Sequence, residues 1–274
     1  MDSSRRTFLA TTAALAASRL AGSAETGSWD GHKPLTKPEL DALAADIGRR
    51  SPYTCVRRLE QNEGPYYYES SLLRRDITEG RKGVPLRLGV RVVNASGSPS
   101  SCAPLRGAVV DVWHADADGM YSNVGGDLQM VDARGQTFMR GHQVTDANGY
   151  AEFETVVPGW ELAPIGPAPG AVVRTTHIHV KVFHEHQIAT AQLFLPDALL
   201  DELYASVNPY ASHRQMRVPG ADRLFDRIHN TDDGLFKADH STPLPIQRQG
   251  GGVVAQAAFG IVSMGTRGVP SLFR

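Results

Sequence analysis

The stretch LRLGVRVVN, residues 86–94, decides the fold class of this chain. Its alternate apolar positions, which share one face of an extended backbone, are Leu86, Leu88, Val90 and Val92. A period of two residues indicates a β-strand with a buried face, whereas a helix needs apolar residues three and four apart. We therefore expect a strand here, and a strand needs partners elsewhere in the chain.

Downstream segments have the same texture. GAVVDVWHAD (107–116) alternates in the same way. TFMRGHQVTDANGYAEFETVVPGW (137–160) predicts two strands around the turn DANG, and HIHVKVFHEHQIATAQLFLP (177–196) predicts two more around a second turn. Short strands separated by Gly and Pro predict a mainly β fold, with a β-sandwich core over residues 51–200.

The C-terminal extension, residues 201–274, is predicted to be helical or irregular. The helical texture begins at DALLDELYASV (197–207), and acidic turns such as NTDDG (230–234) follow. A late apolar run, VVAQAAFGIV (253–262), is predicted to return one strand to the sandwich.

The N-terminus has the pattern of an export signal. An Arg pair in SRRTFLA precedes an apolar run, residues 7–17, that is too short to span a bilayer. We interpret residues 1–24 as a twin-arginine-type signal peptide, which predicts a periplasmic or secreted protein without a membrane span. Residues 25–50 are predicted to form a linker and then a helix with Thr36 as its N-cap.

Composition excludes some classes of partner. The 274 residues include 28 basic and 29 acidic side chains, a formal net charge of -1, so nothing favours nucleic acid or an anionic membrane surface. The chain has two cysteines, Cys55 and Cys102. An oxidising compartment permits a disulfide between them, although the sequence alone does not show that they meet.

Two His-x-His pairs in RTTHIHVKVFHEH (174–186) suggest a metal site. Side chains two apart on a strand share a face, so His177 and His179 can bind one ion. His184 and His186 have the opposite parity and stand at a predicted turn, and we interpret them as exposed loop residues. Two ligands do not complete a metal site.

The strongest further ligand candidate is Tyr121. It lies in the strand-to-turn segment VDVWHADADGMYS (110–122), and strand-end loops commonly carry functional groups. In the same part of the chain we interpret His114 as structural or as a support for the ligands. Trp113 and Trp160 are predicted to lie in the core.

Taken together, five segments resemble the successive motifs of intradiol ring-cleavage dioxygenases. They are EGPYYYESSLLRRDITEGRKGVPLRLGVRVVN, CAPLRGAVVDVWHADADGMYS, FMRGHQVTDANGYAEFETVVPGW, RTTHIHVKV and AQLFLPD. Their order is that of the family, and they span about residues 55–197. The resemblance implies a transthyretin-like (Ig-like) β-sandwich and a mononuclear non-haem Fe(III) held by two Tyr and two His. It also implies O2-dependent cleavage of a catechol between its hydroxyls, and a homodimer.

The resemblance carries over to individual residues. Tyr121 matches the first tyrosine ligand of the family, and His177 and His179 match its paired histidines. Arg174 matches an arginine near the substrate, and Gln192 matches a glutamine on the following strand. These matches imply that Arg174 and Gln192 assist catalysis and that Arg174 also contacts the substrate.

One departure concerns the second tyrosine ligand, which in the family follows PGW. Here Glu161 follows PGW, and residues 158–174 contain no tyrosine. Three alternatives remain open: Glu161 is the fourth ligand, a tyrosine from elsewhere replaces it, or water occupies the position and the chemistry is altered. The tyrosines considered are Tyr66, Tyr67, Tyr68 and Tyr210.

The departure also widens the choice of metal and function. Copper is an alternative to iron, since two His and one Tyr suit either metal. An exported β-sandwich that binds metal or an aromatic compound without ring cleavage is a second hypothesis, and a metalloenzyme with different oxidative chemistry is a third. In the first hypothesis the GPYYYE segment, with Tyr67, shapes the substrate pocket.

Overall fold

The computed structural model describes residues 60–95, 102–126, 129, 131–161, 174–213, 215–217, 224–249 and 251–261. The predicted signal peptide (1–24), linker and helix (25–50) and Cys55 lie outside these ranges. None of the described helices is long and apolar enough to cross a membrane.

Strands dominate the described part of the chain. In chain order they are β1 (Pro85–Asn94), β2 (Ala103–Pro104), β3 (Val109–Trp113), β4 (Arg140–Val144), β5 (Tyr150–Val156), β6 (His177–His184), β7 (Gln187–Phe194), β8 (Gln215–Arg217), β9 (Leu224–Asp226), β10 (Ile246–Gln249) and β11 (Gly252–Ile261). The α-helices are α1 (Asp197–Ser206) and α2 (Gly234–Ala238), and two short 3-10 helices span Tyr210–His213 and Asn230–Asp232.

Two sheets form the sandwich. In the five-stranded sheet, β1 pairs with β11 in parallel on one side and with β5 and β2 in antiparallel on the other, while β10 adds to β11. The four-stranded sheet has the order β4–β3–β6–β7 and is antiparallel throughout. Strands β8 and β9 form a separate two-stranded sheet.

The hydrophobic core lies between the two large sheets. Leu88 and Val90 of β1 face Val112 of β3 and Val180 of β6 across it, and all four are fully buried. Helix α1 adds its buried Leu200 to the same core. The predicted mainly β sandwich with a helical and irregular C-terminal part is therefore confirmed.

The outer face of the four-stranded sheet positions the polar side chains. Residues directly opposite each other on neighbouring strands share a face, and Trp113, His179 and Gln192 are opposite one another across β3, β6 and β7. This face points away from the core. It is covered by the segment that begins at Gln61, whose backbone N–H donates to Thr190 O at 2.9 Å.

Candidate metal and substrate site

His177 and His179 are buried side by side at the start of β6. The Nδ1 of His177 is 2.6 Å from Thr175 O, which fixes the proton on Nδ1 and leaves Nε2 as an acceptor. That Nε2 lies 3.0 Å from the Nε2 of His179, and the ring of Trp113 stacks on His179 at 4.8 Å. Burial and the nearby Arg174 lower the pKa of His177 to about 3, so this imidazole is neutral at physiological pH.

Tyr121 is held by the loop that leaves β3. Asp116 Oδ1 accepts hydrogen bonds from the backbone N–H groups of Asp118 (3.1 Å) and Met120 (2.9 Å), which closes the turn before the tyrosine. The amide of Gln129 then brackets the Tyr121 backbone, accepting from its N–H at 2.9 Å and donating to its carbonyl at 2.8 Å. The phenol is thereby fixed in a buried position beside the histidine pair.

Glu161 reaches the site because the PGW segment packs closely against the β3 loop. A Cβ at Gly159 would lie 2.4 Å from the carbonyl oxygen of Ala117, so only glycine fits there. The indole of Trp160 donates to Arg174 O at 2.9 Å, which ties the two ends of the intervening loop together.

The carboxylate of Glu161 accepts a hydrogen bond from the Tyr121 hydroxyl. Burial raises the pKa of Glu161 to about 7 against the opposing effects of Arg174 and of this hydrogen bond. Burial, together with the Glu161 charge, raises the pKa of Tyr121 well above its ordinary value. Without a cation the phenol therefore keeps its proton and shares it with the carboxylate.

The donor atoms fit a metal ion. Two imidazole nitrogens that bind one metal ion each lie about 2.1 Å from it. If the two bonds meet roughly at a right angle, the nitrogens are about 3.0 Å apart, which is the distance between the two Nε2 atoms here. Within the described ranges, His, Cys, Asp and Glu side chains form no metal-binding group of three, so Glu161 and the two histidines do not make a three-ligand set by themselves. Glu161 Oε1 and His179 Nδ1 are buried without a hydrogen-bond partner. An orphaned carboxylate oxygen beside a phenol suits a hard cation.

Arg174 and Gln192 lie next to the histidine pair, and Asp233 joins them. Arg174 Nε donates to Asp233 Oδ2 at 2.6 Å, and its Nη2 donates to Gln192 Oε1 at 2.6 Å. Although burial opposes its ionisation, Arg174 and backbone N–H groups hold the pKa of Asp233 below its usual range. Arg174 Nη1 has no hydrogen bond to any residue that the structure describes.

A cavity of about 350 Å³ opens over these groups. Its lining residues come from the segment after Gln61, from the site itself and from the start of α2: Asn62, Gly64, Pro65, Tyr66, Glu161, Arg174, His177, His179, Gln192, Gly234 and Leu235. A small aromatic ring fits a cavity of this size.

Tyr66 lines this cavity, and Tyr67 is not among its lining residues. Tyr67 is held elsewhere. Its hydroxyl hydrogen-bonds Asp111, and the Lys181 ammonium lies 4.2 Å from its ring centre.

The structure separates the tyrosines considered as substitutes for the absent ligand. Tyr68 lies under the guanidinium of Arg140, and the Tyr210 hydroxyl donates to Val157 O at 2.7 Å in the core. Tyr66 is next to Tyr121, with ring centres 4.5 Å apart. Glu161 and Tyr66 are thus the two candidates that stand at the site.

The structure also gives the positions of the other residues that the sequence singled out. His114 is fully buried between Ala115 O (2.7 Å) and Thr155 Oγ1 (2.8 Å), in keeping with a structural residue. His186 is exposed in the turn after β6, but His184 is the half-buried last residue of that strand and not a loop residue. Cys102 is disulfide-bonded.

Sequence reasoning missed two residues that hold the site, Asp233 and Gln129. Asp233 lies more than 50 positions beyond the His pair in sequence, and NTDDG was interpreted only as an acidic turn. An Asp one residue before a helix is an N-cap signal, yet it does not indicate an arginine partner. For Gln129 no local signal exists, since glutamine in a loop is ordinarily solvated.

The chain resembles known dioxygenases in sequence. The profile of the family described as Dioxygenase matches residues 62–216. The protocatechuate 3,4-dioxygenase beta chain of Burkholderia cepacia is 30% identical over 185 residues, 63% of this chain and 74% of that protein. The chlorocatechol 1,2-dioxygenase of Rhodococcus opacus is 30% identical over 162 residues, 54% of this chain and 56% of that protein. The chain thus spans little more than half the length of the Rhodococcus relative.

It also resembles a solved structure in fold. An intradiol ring-cleavage dioxygenase from Tetranychus urticae superposes with a TM-score of 0.60 at 27% sequence identity. The match covers 77% of this chain and 96% of that chain.

Proposed function

The chain belongs to the intradiol ring-cleavage dioxygenase family, and from that premise we propose that it cleaves a catechol or related hydroxylated aromatic between its two hydroxyl-bearing carbons. The reaction uses O2 and a mononuclear non-haem Fe(III) centre. The observation that carries the proposal is that Glu161, His177, His179 and Arg174 line one cavity, with the Tyr121 hydroxyl hydrogen-bonded to Glu161 next to it.

We assign the metal to Tyr121, His177, His179 and Glu161. Glu161 takes the place of the family's second tyrosine because it already contacts Tyr121 and has an orphaned oxygen. When bound, Fe(III) would draw electron density from a catechol and make its ring reactive towards O2. In the proposed reaction both atoms of O2 enter the ring-opened dicarboxylic product.

The protein groups manage protons and charge. A neighbouring cation favours the anionic phenol, so Tyr121 gives up its proton, and Glu161 is the acceptor already hydrogen-bonded to it. Once that proton has passed to solvent, the Glu161 carboxylate can take a proton from an incoming catechol.

Arg174 and Gln192 serve the substrate side of the site. Gln192 accepts from Arg174 Nη2 and so fixes the plane of the guanidinium, which leaves Nη1 to stabilise negative charge on the bound substrate. Tyr66, Pro65 and Leu235 line the same cavity and shield the ring from water.

The proposal is tested on purified protein by metal analysis, a visible spectrum and O2 uptake. We expect iron, a phenolate-to-Fe(III) absorption band that shifts on adding catechol, and O2 consumption. Tyr121→Phe should remove the band, and Glu161→Gln should shift it. A colourless iron-free protein that consumes no O2 would disprove the proposal.

Because the second tyrosine ligand of the family is missing, the same experiments must also distinguish two other functions. Two imidazoles, a phenol and a carboxylate also suit copper, so copper with O2 uptake would indicate different oxidative chemistry. Metal and catechol binding without O2 uptake would identify a binding protein on this scaffold.

Export by the twin-arginine route and a homodimer belong to the same proposal. The disulfide at Cys102 supports an oxidising compartment. Changing Arg5 and Arg6 to Lys should keep the protein in the cytoplasm, as cell fractionation would show, whereas unchanged export would exclude the route. Sedimentation would determine the oligomeric state.

A further inference from the structure

We propose that Asp233, from the C-terminal extension, is the residue that positions Arg174 for substrate binding. This inference rests on the proposed catechol chemistry. Asp233 lies beyond residues 62–216, the part of the chain that matches the family profile, so the match does not assign it a role.

The Asp233 carboxylate is a buried junction between two elements. Both oxygens accept hydrogen bonds from Arg174: Oδ2 from Nε at 2.6 Å and Oδ1 from Nη2 at 3.2 Å. Oδ1 also caps α2, because it accepts from the backbone N–H groups of Leu235 (2.9 Å) and Phe236 (3.0 Å). Oδ2 also accepts from the N–H of Thr175 at 3.0 Å. Rotation of the carboxylate would break its hydrogen bonds to Arg174 and to α2, so its orientation is fixed.

A fixed carboxylate fixes the guanidinium. Asp233 holds the edge of Arg174 formed by Nε and Nη2, and Gln192 holds Nη2 from a second direction. A planar guanidinium that is held by hydrogen bonds along its Nε–Nη2 edge can present only the remaining nitrogen, Nη1, to the cavity. The Asp233 side chain is fully buried, so water cannot take over this function.

The same junction ties the cavity wall to the arginine. Gly234 and Leu235 follow Asp233 directly, and both line the cavity. The C-terminal extension therefore supplies one wall of the cavity and the carboxylate that orients the Arg174 guanidinium.

The test is a double-mutant cycle on the iron-loaded protein. Asp233→Asn removes the charge but keeps a good helix cap, which limits damage to α2. It is compared with Arg174→Gln, with the double variant and with Asp232→Asn, which removes the same charge at the exposed neighbouring residue. The measurements are the dissociation constant for catechol without O2, kcat/KM with O2, and thermal unfolding.

If Asp233 acts through Arg174, Asp233→Asn weakens catechol binding by about 10- to 100-fold, as loss of a supporting partner does at other sites. In the Arg174→Gln background the same change has less than about a two-fold effect, because the residue it positions is absent. Asp232→Asn leaves binding unchanged.

Equal effects of Asp233→Asn in both backgrounds, or no effect in either, would overturn the inference, since the residue would then be a helix cap only. Wild-type protein that binds no catechol would instead overturn the proposed function together with this inference. The two failures are thus distinguishable.

Discussion

The two faces of the β4–β3–β6–β7 sheet use the same strands for opposite purposes. On the inner face, Ile178 and Val180 of β6 are fully buried in the apolar core. On the outer face, His177 and His179 of the same strand are buried among polar partners and carry the candidate chemistry. Because side chains alternate along a strand, one segment serves both faces.

The difference shows how the fold divides stability from function. The inner face stabilises the protein by removing apolar surface from water. The outer face places neutral imidazoles and an orphaned carboxylate oxygen in a buried cavity, which costs stability in the metal-free protein. Substitutions at neighbouring positions should therefore affect different measurements.

The largest expected effect is on the outer face. His179→Ala should abolish metal binding and lower turnover at least about 1000-fold, because the metal supplies several kcal/mol of transition-state stabilisation. The free energy of unfolding of the metal-free protein should change by about 1 kcal/mol or less, since a buried unpartnered Nδ1 leaves together with the ring. Metal analysis, O2 uptake and urea denaturation measure the three quantities.

His186→Ala is the matched control, because His186 is exposed in the turn. It should change stability by less than about 0.5 kcal/mol and leave the metal content unchanged. Metal loss in His186→Ala would contradict the division between the two His-x-His pairs.

An inner-face substitution one position away should show the reverse pattern. Ile178→Ala creates a cavity in the core and should destabilise the protein by about 2–5 kcal/mol. The folded fraction should retain its metal and most of its turnover at a temperature well below the new melting point. Denaturation combined with activity per folded molecule checks this, and metal loss without destabilisation would contradict it.

A smaller effect concerns Asp111, on the outer face of β3 away from the histidine pair. Burial raises its pKa to about 7, against the lowering effects of Tyr67, Arg140 and Lys181. Between the unfolded pKa near 4 and the folded pKa, the native state binds the extra proton, so stability falls as pH rises through this window. From pH 5 to pH 7 the loss should be on the order of 2 kcal/mol.

Asp111→Asn removes this titration and should flatten the dependence over the same window. Urea denaturation of both proteins at pH 5, 6 and 7 gives the difference, in which the other carboxyl groups cancel. An equal slope in the variant would show that Asp111 ionises normally in the native state.

The family and the β-sandwich were predictable from the sequence, and both are confirmed. Alternation is a local property, so strands such as β1 and β6 can be recognised residue by residue. The parity of His177 and His179 follows from the same rule. Which tyrosine of GPYYYE lines the cavity could not be predicted, because the segment has three neighbouring tyrosines and side-chain directions in a loop cannot be inferred from its letters.

The partners of Arg174 and Glu161 could not be predicted, because contacts between distant segments leave no periodic trace in either. Asp233 is 59 positions from Arg174 in sequence, and the hydrogen bond between Glu161 and Tyr121 depends on how the PGW segment packs on the β3 loop. The roles of these residues at the metal remain predictions.

By itself the sequence determined the strands, the face that the histidines share and the chemical character of the donors, because these depend on backbone period and residue type. Only the tertiary structure decided that Glu161 meets Tyr121, that Tyr66 rather than Tyr67 lines the cavity, and that Asp233 grips Arg174. The physical reason is that these contacts arise from loops closing over a sheet, and loop closure is fixed by packing in three dimensions rather than by any local pattern.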